Sequence, residues 1–190
     1  HDGWEDIWLG LSAVAPGGEL PKVGMSILPA QPATQRDLYL HNEQDGTFKA
    51  YAGPKPADQQ LAFAATVQSL VDIDGDGDQD VVQVRRGGFA HVLRNDAAPP
   101  GTGLTLRLKA QKSFNAFAVG ALVAAEVDGK PMLRQLTGNI GYGSSGLWKV
   151  HLGMGSGKLA TKVTVQWPNG KTASYGPFLS GAAVPTLLQP

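Results

Sequence analysis

The sequence predicts an all-β protein, and three observations support this class. The 190 residues include 25 Gly and 13 Pro, a fifth of the chain, which is typical of short strands joined by tight turns. Apolar and polar residues alternate with a period of two in several segments, as in half-buried strands. No segment keeps the 3.6-residue period of an amphipathic helix over three turns. Hydrophobic residues make up 42% of the chain, which is enough for a packed core.

The clearest strands lie in the second half of the chain. The segment "GLTLRLKA" places three leucines on one face and three polar residues on the other: Leu104, Leu106 and Leu108 against Thr105, Arg107 and Lys109. The segment "KVTVQW" does the same with Val163, Val165 and Trp167. Shorter apolar runs bounded by Gly, Pro, Asn or Asp are also predicted strands: "DIWLGL", "RDLYLHN", "DVVQVRR", "FAHVLRN", "MLRQLTG" and "LWKVHLG".

Two strand-rich parts are separated by "NDAAPPGTG" at residues 95–103, where paired prolines and glycines predict a linker. We therefore expect one domain over residues 1–96 and a second over 103–190. Residues 11–35 are rich in Pro, Gly and Ala without periodicity, which predicts a long inserted loop. The chain opens at "HDGWEDIWLGL", already within a turn that leads to a strand, so we expect upstream sequence to be missing.

Composition excludes some chemistry. Sixteen Lys and Arg balance sixteen Asp and Glu, so bulk charge indicates neither nucleic acid nor an anionic membrane as partner. Without cysteine there is no disulfide framework and no thiolate site. The longest apolar run, 116–125, is about half the roughly 20 residues that a membrane helix needs, and no signal-peptide pattern opens the sequence.

The stretch "SLVDIDGDGDQDVVQV" carries the strongest functional signal. It holds five carboxylates at alternate positions: Asp72, Asp74, Asp76, Asp78 and Asp80. Neighbouring carboxylates repel by about 1 kcal/mol at about 4 Å in water, and a cation removes the conflict. Calcium loops supply oxygens at positions 1, 3, 5, 7 (a backbone carbonyl) and 9, with Gly at 6. These aspartates match the pattern, with Asp78 contributing its carbonyl and Gly77 at position 6.

The loop differs from an EF-hand, because Gln83 replaces the Glu at position 12 and strand-like segments flank it. We therefore predict a strand-loop-strand Ca²⁺ site, against the alternative of a solvated acidic hairpin. Magnesium fits less well, since it demands octahedral geometry and keeps its waters. Near the N-terminus, Asp2 and Asp6 match positions 5 and 9 of a second loop, whose positions 1 and 3 would precede His1. We expect this second metal loop to be incomplete.

These motifs resemble a known family. The string "DIDGDGDQD", with "RDLYLHNEQDGTF" before it and "HVLRND" after it, resembles the FG-GAP/VCBS repeats of integrin-like β-propellers, in which such loops bind calcium. The second half is similar to the ASPIC/UnbV module through "SFNAFAVGA", "LRQLTGNIGYGSSG", "VHLGMG" and "VQWPNGK", with Met154 where Leu is usual. The expected architecture is a partial β-propeller followed by a small β-sandwich-like or barrel-like module.

The resemblance implies a secreted, cell-surface or periplasmic protein that binds calcium and acts in binding or scaffolding without catalysis. No motif supports an enzyme. "GYGSSG" precedes a strand and not a helix, the four histidines lack metal-ligand spacing, and Glu126 and Asp128 lie in a predicted hairpin. His151 lies between apolar residues, which favours a structural histidine over a catalytic base.

Two partner classes remain open. Because a partial propeller leaves sheet edges uncovered, we expect upstream sequence or another polypeptide to complete it, and an isolated chain to dimerise or aggregate. The alternative function is a carbohydrate-binding or accessory module of a secreted enzyme. Tyr142, Trp148 and Trp4 are candidate stacking platforms, so a cluster of exposed aromatic side chains would favour that alternative.

Overall fold

A computed structural model describes residues 3–9, 38–52, 67–84, 90–96, 103–111, 113–141 and 143–190. These residues form strands and no helix, which confirms the all-β class. The strands are β1 (Ile7–Leu9), β2 (Leu38–Asn42), β3 (Phe48–Ala52), β4 (Val67–Val71), β5 (Asp80–Val84), β6 (Ala90–Leu93), β7 (Gly103–Lys109), β8 (Leu122–Val127), β9 (Lys130–Gln135), β10 (Lys149–Gly153), β11 (Leu159–Gln166), β12 (Thr172–Tyr175), β13 (Phe178–Leu179) and β14 (Thr186–Leu188).

The strands form several small sheets. Three sheets have three strands each, in the orders β1-β2-β3, β4-β5-β6 and β10-β7-β14. A larger sheet has the order β12-β11-β8-β9, and β13 also pairs with β11. Among the described strands no sheet closes on itself. None of the described residues forms a helix that is long and apolar enough to span a membrane.

The chain divides into two compact units. One comprises His1–Trp4, Ser69–Val81 and Leu93–Pro190, and the other Glu5–Gln68 and Val82–Val92. The first unit therefore holds the whole aspartate-rich loop together with the C-terminal strands. The predicted inserted loop and most of the predicted linker lie outside the described residues, so the proposed domain boundary stays a prediction.

The core of the first unit comes from the alternating strands. On β7 the three leucines are buried while Arg107 and Lys109 are exposed, as the sequence pattern predicts. Strand β11 likewise buries Val163 and Val165. The β10-β7-β14 sheet and the larger sheet contribute to one cluster of buried side chains, and Trp167 is its largest member. Burying a large apolar side chain stabilises a fold by about 1.5–3 kcal/mol, so this cluster dominates the stability of the unit.

Turn chemistry holds the C-terminal strands in register. Strands β8 and β9 are joined by Asp128 and Gly129, which adopt φ of 49° and 73°, as in a tight hairpin turn. Before β8, both amide atoms of Asn115 bond the backbone of Val119: Nδ2 donates to its carbonyl at 2.8 Å, and Oδ1 accepts from its N–H at 2.9 Å. Gly120 follows with φ of 93°, a conformation that glycine adopts readily.

Candidate metal-binding loop

The aspartate-rich segment forms a loop between two strands of one sheet. Strand β4 ends at Val71 and β5 begins at Asp80, so residues 72–79 connect them. Gly75 and Gly77 adopt φ of 81° and 95°, a region that side chains other than Gly rarely occupy. The two glycines therefore permit backbone conformations between the carboxylates that other residues would adopt only with strain. We call residues 72–80 the Asp loop.

Three carboxylates of the Asp loop converge. One oxygen each from Asp72, Asp74 and Asp80 lies within 4.8 Å of the other two. Calcium binds oxygen at 2.3–2.6 Å, so two ligands on opposite sides of the ion are about 4.6–5.2 Å apart. The three oxygens are therefore close enough to belong to one coordination shell. Hard oxygen donors of this kind suit Ca²⁺ and do not suit soft metals.

The carboxylates also fold the loop by accepting its own amides. Asp72 Oδ1 accepts the Gly75 N–H at 2.7 Å, and its Oδ2 accepts the Gly77 N–H at 3.2 Å. Asp76 Oδ1 accepts the Asp78 N–H at 3.1 Å. A carboxylate oxygen that accepts one hydrogen bond keeps a second lone pair, so these bonds do not prevent cation binding. They hold the carboxylates of Asp72 and Asp76 in fixed positions within the loop.

Asp80 is fully buried and ties the loop to the chain on both sides. Its Oδ2 accepts the Ile73 N–H and its Oδ1 accepts the Asn95 N–H, both at 2.8 Å. Burial of an ionised carboxylate is costly unless hydrogen bonds or a cation compensate. Asp80 therefore has a structural role in closing the loop as well as an oxygen in the converging group.

The pKa values of the Asp76 and Asp78 carboxyl groups are shifted in opposite directions. Burial raises the pKa of Asp78 to about 7, with further contributions from its hydrogen bond to Asp76 and from the neighbouring charges of Asp76, Asp80 and Asp74. Hydrogen bonds from the backbone and side chain of Asp78 hold the pKa of Asp76 below its usual value. Asp78 is thus the carboxyl in which the proton is best accommodated. Its side chain and that of Asp76 lie outside the converging group of three.

One cation beside the loop was missed by sequence analysis. Arg94 Nε and Nη2 bind the two oxygens of Asp96 at 2.9 and 3.0 Å, and Nη1 lies 3.8 Å from Asp74 Oδ2. This bidentate bond to Asp96 raises the pKa of Arg94. The guanidinium offsets part of the negative charge of the loop. The signal in the sequence was "HVLRND", in which Arg94 follows β6.

The Asp loop packs against the start of β7 within the same unit. A Cβ atom added to Gly103 would collide with the carbonyl oxygen of Gly77 and would lie 2.5 Å from His151 Cε1. Only a glycine at residue 103 allows this approach. His151 Nδ1 is 3.0 Å from Thr105 Oγ1, and burial lowers the pKa of the His151 imidazole to about 4. His151 is thus a partly buried, hydrogen-bonded side chain close to Gly103.

The second predicted metal loop has a different environment. Asp2 lies outside the described residues. Asp6 Oδ2 accepts the Tyr39 hydroxyl at 2.5 Å, and its Oδ1 accepts the Asn42 N–H at 2.8 Å and lies 3.0 Å from His41 Nδ1. The protein's own donors therefore surround this carboxylate, and they explain its position without a metal.

Exposed aromatic rings form a separate feature. Trp148 is 44% exposed and Phe117 is 48% exposed, and their ring centroids are 4.1 Å apart. Trp4 is also exposed, whereas the Tyr142 side chain lies outside the described residues. Sequence analysis identified Trp148 but missed Phe117, because the two rings are brought together by the fold and are 31 positions apart in sequence.

The strands and turns of the C-terminal part define a small all-β module with a hydrophobic core. Residues 111–177 match the family model described as ASPIC and UnbV, which supports the resemblance for that part of the chain. No curated protein matches the chain. The match includes Asn115 with its two bonds to Val119, Gly120 and the buried Trp167. Hydrogen bonding, backbone conformation and packing therefore account for these three of the residues that carried the resemblance.

Proposed function

We propose that this chain is a non-catalytic calcium-binding protein, in which the Asp loop belongs to an FG-GAP/VCBS-type, propeller-like repeat and the C-terminal module serves binding or scaffolding. Its proposed location is extracellular, on the cell surface or in the periplasm, where such repeats are expected. The observation that carries the proposal is the convergence of Asp72, Asp74 and Asp80 within 4.8 Å in a loop between two strands. As a partner we propose an upstream segment or a second polypeptide that completes the propeller.

The proposed ligand set consists of the three converging carboxylates, with Asp76 and the carbonyl of Asp78 completing the shell. Binding would neutralise carboxylates that the fold holds together, so calcium should stabilise the native state. At a calcium concentration 100 times the Kd, the expected gain in free energy of unfolding is about 2.7 kcal/mol. Mg²⁺ at the same concentration should give a smaller gain.

Isothermal titration calorimetry and thermal unfolding, each with calcium, magnesium or chelator, test this proposal. Asp74→Asn should abolish the calcium-specific rise in melting temperature, because it removes one charge from the converging group. The matched control is Asp45→Asn, in the exposed turn between β2 and β3, where Asp45 bonds only Thr47 among the contacts that the structure gives it. Equal responses of the two variants, or no calcium binding by the unmodified chain, would refute the proposal.

A second candidate function is carbohydrate binding, which the exposed Phe117–Trp148 pair favours. Aromatic rings bury apolar area at low entropic cost and can stack on sugar rings. Titration with a panel of oligosaccharides, followed by tryptophan fluorescence, tests it. Trp148→Ala should remove binding, whereas Phe48→Ala, which removes an exposed aromatic ring on β3, should not. Binding that survives Trp148→Ala would contradict this candidate.

A further inference from the structure

The outer face of the β10-β7-β14 sheet carries a cluster of positive charge. On β7, Leu104, Leu106 and Leu108 face the core, so Arg107 and Lys109 project from the opposite face, and both are exposed. Lys149 on β10 is directly opposite Arg107 in the antiparallel register. Side chains opposite each other have Cβ atoms about 4.5–5.5 Å apart, and residues two apart on a strand about 7 Å apart. Arg107, Lys109 and Lys149 therefore form one group, which we call the cationic face.

This placement opposes stability, since like charges directly across a ladder are destabilising. The larger sheet shows the alternative arrangement, in which exposed Lys162 on β11 lies opposite Glu126 on β8. Among the residues that the structure describes, no carboxylate forms an ion pair with the three side chains of the cationic face. A bound anionic surface would offset their mutual repulsion. The arrangement thus favours a ligand over a purely structural role.

The first half of the chain carries the negative charge that would complement the cationic face. Residues 97–190 contain nine Lys and Arg but only two acidic residues, Glu126 and Asp128. Residues 1–96 contain fourteen Asp and Glu against seven Lys and Arg. The zero net charge of the chain therefore hides two halves of opposite sign and equal magnitude. Such complementarity steers association and suppresses wrong partners.

One end of this face is covered by the Asp loop of the same chain. The carbonyl of Gly77, in the Asp loop, abuts Gly103 at the start of β7, while Arg107 and Lys109 lie further along the same strand. We propose that the cationic face docks the acid-rich half, residues 1–96, of a second copy of this chain. Made reciprocally by two copies, this contact closes a two-fold dimer; made head to tail, it extends the assembly unless the rotation closes a ring. A calcium ion in the Asp loop would lower the excess negative charge of residues 1–96 from seven to five without changing its sign, so the contact is expected with and without calcium.

Sedimentation velocity of the full chain tests the proposal at about 10 mM and about 150 mM salt, where the Debye length is about 30 and 8 Å. Arg107→Gln/Lys149→Gln should weaken self-association at low salt at least about tenfold. The control, Lys158→Gln/Lys171→Gln, removes the same charge from exposed positions elsewhere and should stay within about twofold of the unmodified chain. Because like-charge repulsion is relieved, the first variant should melt no lower than the unmodified chain, which confirms that it is folded.

Carbodiimide cross-linking of a mixture of ¹⁴N- and ¹⁵N-labelled chains identifies the contact. Cross-links from Lys109 or Lys149 to carboxylates of residues 1–96 that join one light and one heavy peptide support the proposal. Three results overturn it: a monomer at both salt concentrations, self-association that ignores the Arg107 and Lys149 substitutions, or cross-links confined to a single chain. Binding of a polyanionic polysaccharide or a nucleic acid to a monomeric chain would likewise overturn the choice of a second copy.

Discussion

A methyl group at Gly103 tests the contact between the Asp loop and the C-terminal module. In Gly103→Ala the new Cβ would collide with the Gly77 carbonyl oxygen, and would lie 2.5 Å from His151 Cε1 and 3.1 Å from Nε2. Carbon atoms pack at about 3.5–4.0 Å, so the neighbours must move by about 1 Å.

Neither the backbone of Gly103 nor its neighbours Gly77 and His151 can move freely. The Gly103 carbonyl accepts the Gly181 N–H at 2.8 Å, the Gly77 N–H donates to Asp72, and His151 lies on β10 beside Thr105. Overpacking of this kind costs about 1–3 kcal/mol. We therefore expect Gly103→Ala to lower the free energy of unfolding by that amount in urea denaturation followed by circular dichroism.

The matched control is Gly141→Ala, because an added Cβ there would meet no atom within 4 Å. Its free energy of unfolding should change by less than about 1 kcal/mol. Hydrogen exchange of peptides from residues 69–81 provides a local measurement, and exchange should accelerate in Gly103→Ala alone. If both variants are equally stable and the Asp loop exchanges as before, the packing argument is wrong.

Three further predictions follow from other contacts. Burial lowers the pKa of His151 to about 4, so below about pH 6.5 this residue binds more protons in the unfolded chain than in the folded one. As the pH falls from about 6.5 to 4, the free energy of unfolding should therefore decrease by up to about 3 kcal/mol because of this residue. The raised pKa of Asp78 acts with the opposite sign, so the check is the difference in urea stability between the unmodified chain and His151→Gln, in which the contribution of Asp78 cancels. Asn115→Ala should lower the free energy of unfolding by about 1–3 kcal/mol in thermal unfolding, because it removes both bonds to Val119. An unchanged midpoint would show that these two bonds do not stabilise the fold. Asp6→Ala should destabilise the β1-β2-β3 sheet by a similar amount without changing the calcium stoichiometry measured by calorimetry. Loss of a calcium site in this variant would instead support the prediction that Asp6 belongs to a second metal-binding loop.

The all-β class and the strands of the C-terminal module could be predicted from sequence, because their pattern is local. Alternation in "GLTLRLKA" depends on which side of one strand faces the core, and the structure buries the three predicted leucines. The turn at Asp128 and Gly129 could also be predicted, since its backbone preference is a property of two residues. The proposed repeat architecture of the first half cannot be assigned in the same way, because a propeller is defined by how several sheets pack around an axis, and a local pattern does not encode that packing.

Contacts between distant residues explain what sequence analysis missed. Arg94 reaches Asp74 and Phe117 meets Trp148 only after strands have paired, and no spacing rule connects these positions. The like-charged pair of Arg107 and Lys149 depends on the register of β7 with β10. Bulk charge concealed it, because a net charge of zero carries no information on how the charges are distributed.

The Asp loop shows why spacing alone cannot assign roles to its five carboxylates. The pattern distinguished only Asp78, as a ligand through its backbone carbonyl, but folding separates the carboxylates further. Asp80 is buried and accepts two backbone amides, and Asp78 is buried with a raised pKa. Asp72 and Asp74 remain on the accessible side of the converging group. Substitution of Asp74 therefore tests cation binding with the least damage to the fold, while substitution of Asp80 would break the loop whether or not a cation binds. A loss of calcium binding in Asp74→Asn with an intact fold is accordingly the more informative result.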